Sequence, residues 1–563
     1  MSVTRRILSI CALVALVAAS CTTGHKGATP STASGGNASS PLVNGRRRPN
    51  ILILLSDDQA FHLFDRQLMP NVFSKLVDQG VDFARAYVNV SQCCPSRSSI
   101  LTGLYSRHTG VDSNTVALDG RTPARPTMAV ALHDAGYRTM LAGKYLNSEP
   151  CSPQPGWDQW VCGTKVSEID PLLNVNGEDV QYEGYTADIL ADFAVDFVKA
   201  DADPDHPFFI YYAPRDPHLP ANDDRENSLA VPPYKPPSYD AIPDPASRPA
   251  WARIAPLSPE DLSQIQSQHR KMTRQIPPLD AAMGKILDAL GNREGNTLVF
   301  FLSDNGFMYG EHRLTSKNEP YEESVRVPFV VRFPGALPRP GHFSSDALVS
   351  NVDIAPTIMD AAGIPWEADG TSLLPILRGQ KASVRDGLLI EWCEAGNESN
   401  CRPETSEYTG VSIPAFFGIV TERYVFVRYK TGETELYDLK ADPYEMTNLA
   451  ADPAERSLVG QLSSQLDALV APPDTPGTTI VGGPVGTVPA GSMSFSFFSQ
   501  ARTTKLLCGL SGPGQDGGMQ PCDSGVLTYP SLGPGQYTFT VQAVDARGRQ
   551  DPTPAVRRFT VSG

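Results

Sequence analysis

The chain has 563 residues, of which 41% are apolar and 19% charged, so it is neither a disordered polymer nor a collagen-like one and can bury a large core. A prior of about 150 residues per domain predicts three or four domain equivalents, or one large domain with additions. Lys plus Arg number 47 and Asp plus Glu 62, and the net charge of −15 argues against a nucleic-acid or anionic-membrane binder, though a small anionic substrate stays compatible.

In chain order, Arg5 and Arg6 precede an apolar run from Ile7 to Ala19 and the small residues before Cys21. A run this short behind a basic start predicts an export signal over residues 1–21 and not a spanning helix. Ala18-Ala19-Ser20-Cys21 resembles a lipobox, so the expected destination is the extracytoplasmic face, with a lipid anchor on Cys21 as the only membrane contact. Residues 22–48 are Ser, Thr, Gly, Ala and Asn ending in three arginines, a composition expected of a flexible tether. Export favours disulfides, and loop-like surroundings suggest Cys151–Cys162, Cys393–Cys401 and Cys508–Cys522, which leaves Cys93 and Cys94.

From Asn50 the texture becomes short apolar runs alternating with helical stretches. Ile51–Leu55, Phe208–Tyr212, Leu298–Leu302 and Val327–Val331 read as strands buried on both faces. Helices are expected at Thr127–Ala135 and around Leu279–Leu290. The alternation predicts an α/β fold with a large, mainly parallel sheet over residues 49–385. A smaller α+β subdomain is expected over 386–471, with a hairpin from Arg423 to Leu439 and a helix from Ala454 to Leu469. A Pro/Gly/Thr-rich linker over 472–490 then leads to an all-β, immunoglobulin-like sandwich over 491–563.

In open α/β sheets, ligands gather beyond the carboxyl ends of the strands. Here one run ends in Asp57-Asp58 and another in Asp304-Asn305, while a third leads to His218 and a shorter one to Gly143-Lys144. Three carboxylates and an amide at one edge suit a hard divalent cation, calcium foremost and magnesium next. In Cys93-Cys94-Pro95-Ser96-Arg97, Pro95 suits the first turn of a helix. A helix start lowers a thiol's pKa and attracts anions, and Arg97 adds fixed charge, so the segment reads as an anion pocket holding a nucleophile precursor. His312 and Arg313 share a loop with Lys317 and read as substrate contacts or as a solvated surface. Tyr145 and Trp157 read as cleft lining or core.

The stretch Cys93 to Gly103 resembles the type I sulfatase signature C-x-P-S-R-x-x-x-L-T-G at every fixed position. The resemblance spans roughly residues 49–450, is similar to the alkaline-phosphatase-like superfamily as a whole, and looks closest to the N-acetylglucosamine-6-sulfatase and heparan-type branch. It implies hydrolysis of sulfate monoesters on a carbohydrate of the 6-O-sulfated glucosamine type. It also implies conversion of Cys93 to formylglycine by a formylglycine-generating enzyme, with Cys94 as a bystander. Asp57, Asp58, Cys93, Asp304 and Asn305 match the metal-binding positions, and Arg97, Lys144, His218 and Lys317 the catalytic ones. The segment Asp442-Pro443-Tyr444-Glu445 matches the family's D-P-x-E block. Many sulfatases carry G-K-W-H where this chain has Gly143-Lys144-Tyr145-Leu146-Asn147, so Asn147 is the candidate for that histidine's role. The other readings are a phosphonate or phosphate ester hydrolase of the same superfamily and a non-catalytic binder of sulfated glycans.

Overall fold

Five consecutive apolar residues, Ile51–Leu55, form the body of β1 (Asn50–Ser56), and alternate side chains enter two different cores. The computed structural model describes residues 47–118, 126–163, 167–200, 206–222, 225–338, 341–392, 410–471, 477–499, 505–545, 548–551 and 553–563. The expected leader, Cys21, nearly all of the tether and the Cys393–Cys401 pair lie outside the described residues. Arg48, placed by sequence in the tether, donates from Nη1 to Ala135 O at 2.7 Å and belongs to the folded body.

The main sheet has ten strands. They are β1, β2 (Val81–Tyr87), β3 (Arg138–Gly143), β4 (Gln159–Cys162), β5 (Leu172–Val175), β6 (Glu178–Gln181), β7 (Phe208–Ala213), β8 (Thr297–Ser303), β11 (Phe329–Arg332) and β12 (Phe343–Ser350). A short hairpin, β9 (Met308–Tyr309) and β10 (Thr315–Ser316), stands apart from it. The order is β12-β2-β11-β8-β1-β7-β3-β4-β5-β6. The centre, β8-β1-β7-β3-β4, is parallel, in keeping with its continuous apolar runs.

The expectation of a mainly parallel sheet needs correction, because the sheet is mixed. β11 runs antiparallel to both β8 and β2. At the other end β4, β5 and β6 form an antiparallel meander. Its turn is Asn176-Gly177, both at positive φ (52° and 99°), a two-residue hairpin signal that was present in the sequence.

Ile51, Ile53 and Leu55 pack with the helices Cys93–Thr102, Met128–Asp134 and Ile354–Ala362 on one face. Leu52 and Leu54 pack with Thr186–Ala200 and Pro259–Ala289 on the other. The last helix is a second correction: it starts twenty residues before the expected Leu279. Pro277 and Pro278 inside it look like breakers, yet a Ser258–Asp261 capping box starts it and Ile265, Met272, Ile276 and Met283 bury one face. That burial outweighs the local cost of proline.

β13 (Gly387–Trp392), β14 (Phe416–Thr421), β15 (Tyr424–Tyr429) and β16 (Thr434–Asp438) form a separate antiparallel sheet in that order. The helix Arg456–Val470 seats Leu462 and Leu466 against it. The expected hairpin and helix are therefore both present.

Beyond it, a three-stranded and a six-stranded sheet share one core containing Phe495, Phe497, Phe539 and Phe559. Within the stretch expected to be linker, Thr478–Gly482 and Gly486–Val488 are strands. Thr479 Oγ1 donates to Glu367 Oε2 at 2.6 Å, and Phe498 packs on Trp366, so this β unit is fastened to the α/β body. Cys151–Cys162 and Cys508–Cys522 are disulfides, and Cys93 and Cys94 are free and buried. Among the described residues no helix is long and apolar enough to cross a membrane.

Candidate active site

Four neighbouring parallel strands, in the order β8-β1-β7-β3, deliver their carboxyl ends to one place. Ser56 of β1 is in register with Ser303 of β8, so Asp57-Asp58 and Asp304-Asn305 leave the sheet side by side. Asp58 has φ 64°, and its N–H donates to Asp304 Oδ1 at 3.1 Å. Asn305 Nδ2 donates to Asp58 Oδ1 at 2.7 Å. β3 ends at Gly143 (φ +123°), where a side chain would meet Ala213 O of β7 at 2.1 Å. Only glycine allows that approach, which places Lys144 beside the acids.

The helix Cys93–Thr102 begins at the pocket and every residue of it is buried. Cys93 Sγ lies 3.6 Å from Asp57 Oδ1 and 3.0 Å from Lys317 Nζ. Lys317, just past β10, also donates to Asp58 Oδ1. Lys144 Nζ donates to Asp57 Oδ2 at 2.6 Å. Arg97 donates from Nε to Asp304 Oδ2 at 2.8 Å and from Nη1 to Lys144 O at 2.7 Å. His218, on the segment after β7, is the partly exposed member, its Nε2 3.6 Å from Asp58 Oδ2.

Burial pushes the carboxyl of Asp57 up, but Lys144, His218, Arg97 and Lys317 together hold it well below the usual carboxylate range. Burial likewise opposes, and Lys317 and His218 outweigh, in keeping Asp58 ionised. Asp304 goes the other way, raised by burial and then by Asp57. The expected lowering of the Cys93 pKa is corrected here: burial pushes the thiol up, and Lys144 and Lys317 only partly offset it. As a thiol it is therefore a poor nucleophile at neutral pH.

Asp57, Asp58, Cys93 and His218 each bring a ligand atom within 4.8 Å of the others. Asn305 Oδ1 is buried with no hydrogen-bond partner, an oxygen with lone pairs to spare. Three carboxylates face Arg97, Lys144 and Lys317, so the pocket is near neutral by itself; a dication there would leave it positive, as an anionic ester requires. The donor set fits a hard divalent cation.

The structure thus gathers Asp57, Asp58, Cys93, Arg97, Lys144, His218, Asp304, Asn305 and Lys317. It does not join Asn147 to them: that residue is half-buried, its Oδ1 is without a partner, and none of the contacts above involves it. His312 is 2% exposed and stacks on Tyr321, which corrects the solvated-loop expectation. Tyr145 is 3% exposed and, with Trp157 and Trp160, packs in the core. Sequence reading passed over Arg248, which lies in a proline-rich stretch without periodicity and is also buried.

A mixed α/β sheet flanked by helices, with this cluster at its carboxyl edge, defines an alkaline-phosphatase-like protein. The sulfatase family model matches residues 49–364, and the model of the N-sulphoglucosamine sulphohydrolase C-terminal region matches 310–471. The chain belongs to the sulfatase family. It is 30% identical over 476 residues to the human N-acetylglucosamine-6-sulfatase, covering 76% of this chain and 85% of that one. To the N-acetylglucosamine-6-O-sulfatase of Bacteroides thetaiotaomicron it is 28% identical, over 73% and 84%. Extracellular sulfatase homologues of Drosophila melanogaster and Caenorhabditis elegans are each 31% identical, but the chain spans only 34% and 52% of their lengths. Among solved structures, one in complex with its substrate D-glucosamine-2-N,6-O-disulfate has TM-score 0.62 at 24% identity, over 75% of this chain and 97% of that one. The phosphonate monoester hydrolase of Agrobacterium radiobacter has TM-score 0.58 at 22%, over 75% and 95%.

Proposed function

We propose that the chain is a sulfuric ester hydrolase acting on a sulfated carbohydrate of the 6-O-sulfated glucosamine type. The observation that carries this is Cys93 at the start of a buried helix, within contact of both Asp57 and Lys317. Formylglycine made from Cys93, with calcium or magnesium held by Asp57, Asp58, Asp304 and Asn305, would supply an activated oxygen nucleophile. The remaining chemistry falls to the chain's own side chains. Lys144, Lys317 and Arg97 are fixed cations that orient the sulfo group and stabilise charge on its oxygens. Asp304, its carboxyl raised by burial, is suited to accept a proton on a carboxylate oxygen. His218, at the open side, delivers a proton from Nε2 to the departing sugar oxygen. Asn147 is assigned a hydrogen bond to the substrate through its unpartnered Oδ1.

The relatives' names support export, and the leader supports a lipid anchor at Cys21. The C-terminal β unit, read as immunoglobulin-like, serves as a spacer or stability module. The test is mass spectrometry of the Cys93 peptide, made in a host with a formylglycine-generating enzyme, together with sulfate release from glucosamine 6-sulfate, aryl sulfates and phosphate or phosphonate esters. Aldehyde at Cys93 and preference for the sugar sulfate are expected. Unmodified cysteine without sulfate release would leave a glycan binder, and preference for phosphonate would move the chain to that activity.

A further inference from the structure

The segment that carries Lys317 is built against backbone preference. His312, Arg313, Ser316 and Asn318 all have positive φ, at 52°, 62°, 78° and 100°. Such conformations persist only when the surroundings over-determine them. The β9–β10 hairpin, with two residue pairs, is too short to do so alone. From outside, Ser238 O accepts from His312 N at 2.8 Å and Ile254 O from Arg313 Nη1 at 2.6 Å, and one guanidinium bonds to both flanks of Lys317.

Arg248 is 2% exposed. It approaches His312 Nδ1 from Nη2 at 3.1 Å, on the N-terminal side of Lys317. It donates from Nη1 to Tyr321 Oη at 3.0 Å, on the C-terminal side. The same group reaches Tyr437 Oη at 2.8 Å and Glu445 O at 2.6 Å, so the anchor is the β16 strand and the D-P-x-E block. Both tyrosine hydroxyls in turn donate to Glu435, which is fully buried and balances the charge. A guanidinium can only donate, so His312 Nδ1 accepts and its proton sits on Nε2. His312 also stacks on Tyr321 with centroids 4.3 Å apart, closing the loop's two flanks on each other.

We propose that Arg248 is a positioning residue for Lys317, acting through His312 and Tyr321 to hold that ammonium against Asp58 and Cys93. The planar fork is essential, because a lysine at 248 offers one point charge and cannot span both flanks. The link to catalysis rests on the reading of Lys317 as a group that holds the sulfo oxygens.

The experiment uses the full chain carrying R248Q, with two readouts. The first is the acylation rate of Lys317 by an amine-selective reagent, followed by mass spectrometry well below the unfolding temperature. Lys144, equally buried, is the internal control. A rise of about tenfold at Lys317 with none at Lys144 is expected, since loosening is confined to the loop. No rise, or an equal rise at both lysines, overturns the proposal. The second readout is kcat/KM for a sulfate ester, expected to fall about 10- to 100-fold in R248Q, as for other misplaced catalytic groups. In a Lys317→Met background R248Q should add little further loss; a fully additive loss overturns the proposal. Should R248Q not fold, Tyr321→Phe removes one partner of the guanidinium, and the same selective rise at Lys317 is required. If the unaltered chain turns over no sulfate ester, the sulfatase reading fails, and the labelling alone still decides the role of Arg248.

Discussion

Lys144 Nζ stands 2.6 Å from Asp57 Oδ2 with both side chains cut off from water, and the pair ties the carboxyl ends of β3 and β1 together. Removing one member of such a pair strands the other charge, which typically costs about 3–5 kcal/mol. Arg97 Nη2, 3.4 Å from the same oxygen, offsets part of this. Lys144→Met should therefore lower the melting temperature clearly and abolish sulfate release. In the double variant with Asp57→Asn the two stability losses should not add. Additive losses in calorimetry would show that the pair does not act as one unit.

The adjacent thiols divide by geometry. Cys93 Sγ meets Asp57 and Lys317, whereas Cys94 Sγ faces Ser148 Oγ at 3.2 Å. Cys93→Ala should abolish sulfate release, and Cys94→Ala should leave most of it, measured as released sulfate at equal folded protein. Equal loss in two folded variants would refute the division.

His218 serves the leaving oxygen, so its worth depends on how badly that oxygen needs a proton. His218→Gln should cut kcat about 10²- to 10⁴-fold on a sugar sulfate and much less on an aryl sulfate with an acidic phenol. A uniform loss across the series would assign His218 to binding instead.

Chelation should lower both activity and melting temperature, and calcium or magnesium should restore them, because Asp57 and Asp58 stay ionised in a buried pocket. Asp304→Asn should weaken the thermal shift on calcium addition; an unchanged shift would place the cation elsewhere.

Burial pushes the carboxyl of Glu311 up to about 7, and burial followed by Glu311 pushes that of Glu323 up to about 8. A folded value above the ordinary one means the native state holds the proton more tightly. The stability from these two groups is complete below about pH 4.5 and is lost as pH rises through about 7 to 8. Asp57, held low, contributes with the opposite sign, so the difference between variants is the clean measurement. Melting temperature should fall less between about pH 5 and 8.5 in Glu323→Gln than in the unaltered chain. Parallel curves would mean Glu323 is ionised throughout.

The apolar runs at 51–55, 208–212 and 298–302, each followed by polar residues, made both the α/β fold and the edge carrying the site legible in sequence. Such runs mark strands buried on both faces, the usual state in a parallel sheet, and the chemistry then lies at their carboxyl ends. The cysteine signature was equally local, because a helix start and its neighbours are contiguous in the chain. What sequence could not supply was any quantity set by distant neighbours. The antiparallel insertion of β11 depends on pairing between strands far apart in the chain. The helix Pro259–Ala289 survives its two prolines only because one face is buried by other elements. The direction of the Cys93 shift was misjudged because helix position is a local property, whereas exclusion of water by surrounding elements is not. Arg248 shows the same limit: its partners at 312, 321, 437 and 445 come together only when the chain has folded. Sequence by itself determined which groups are present and on which strand ends. The tertiary structure decided their charges and who holds whom, because desolvation and charge pairing depend on what packs around a group.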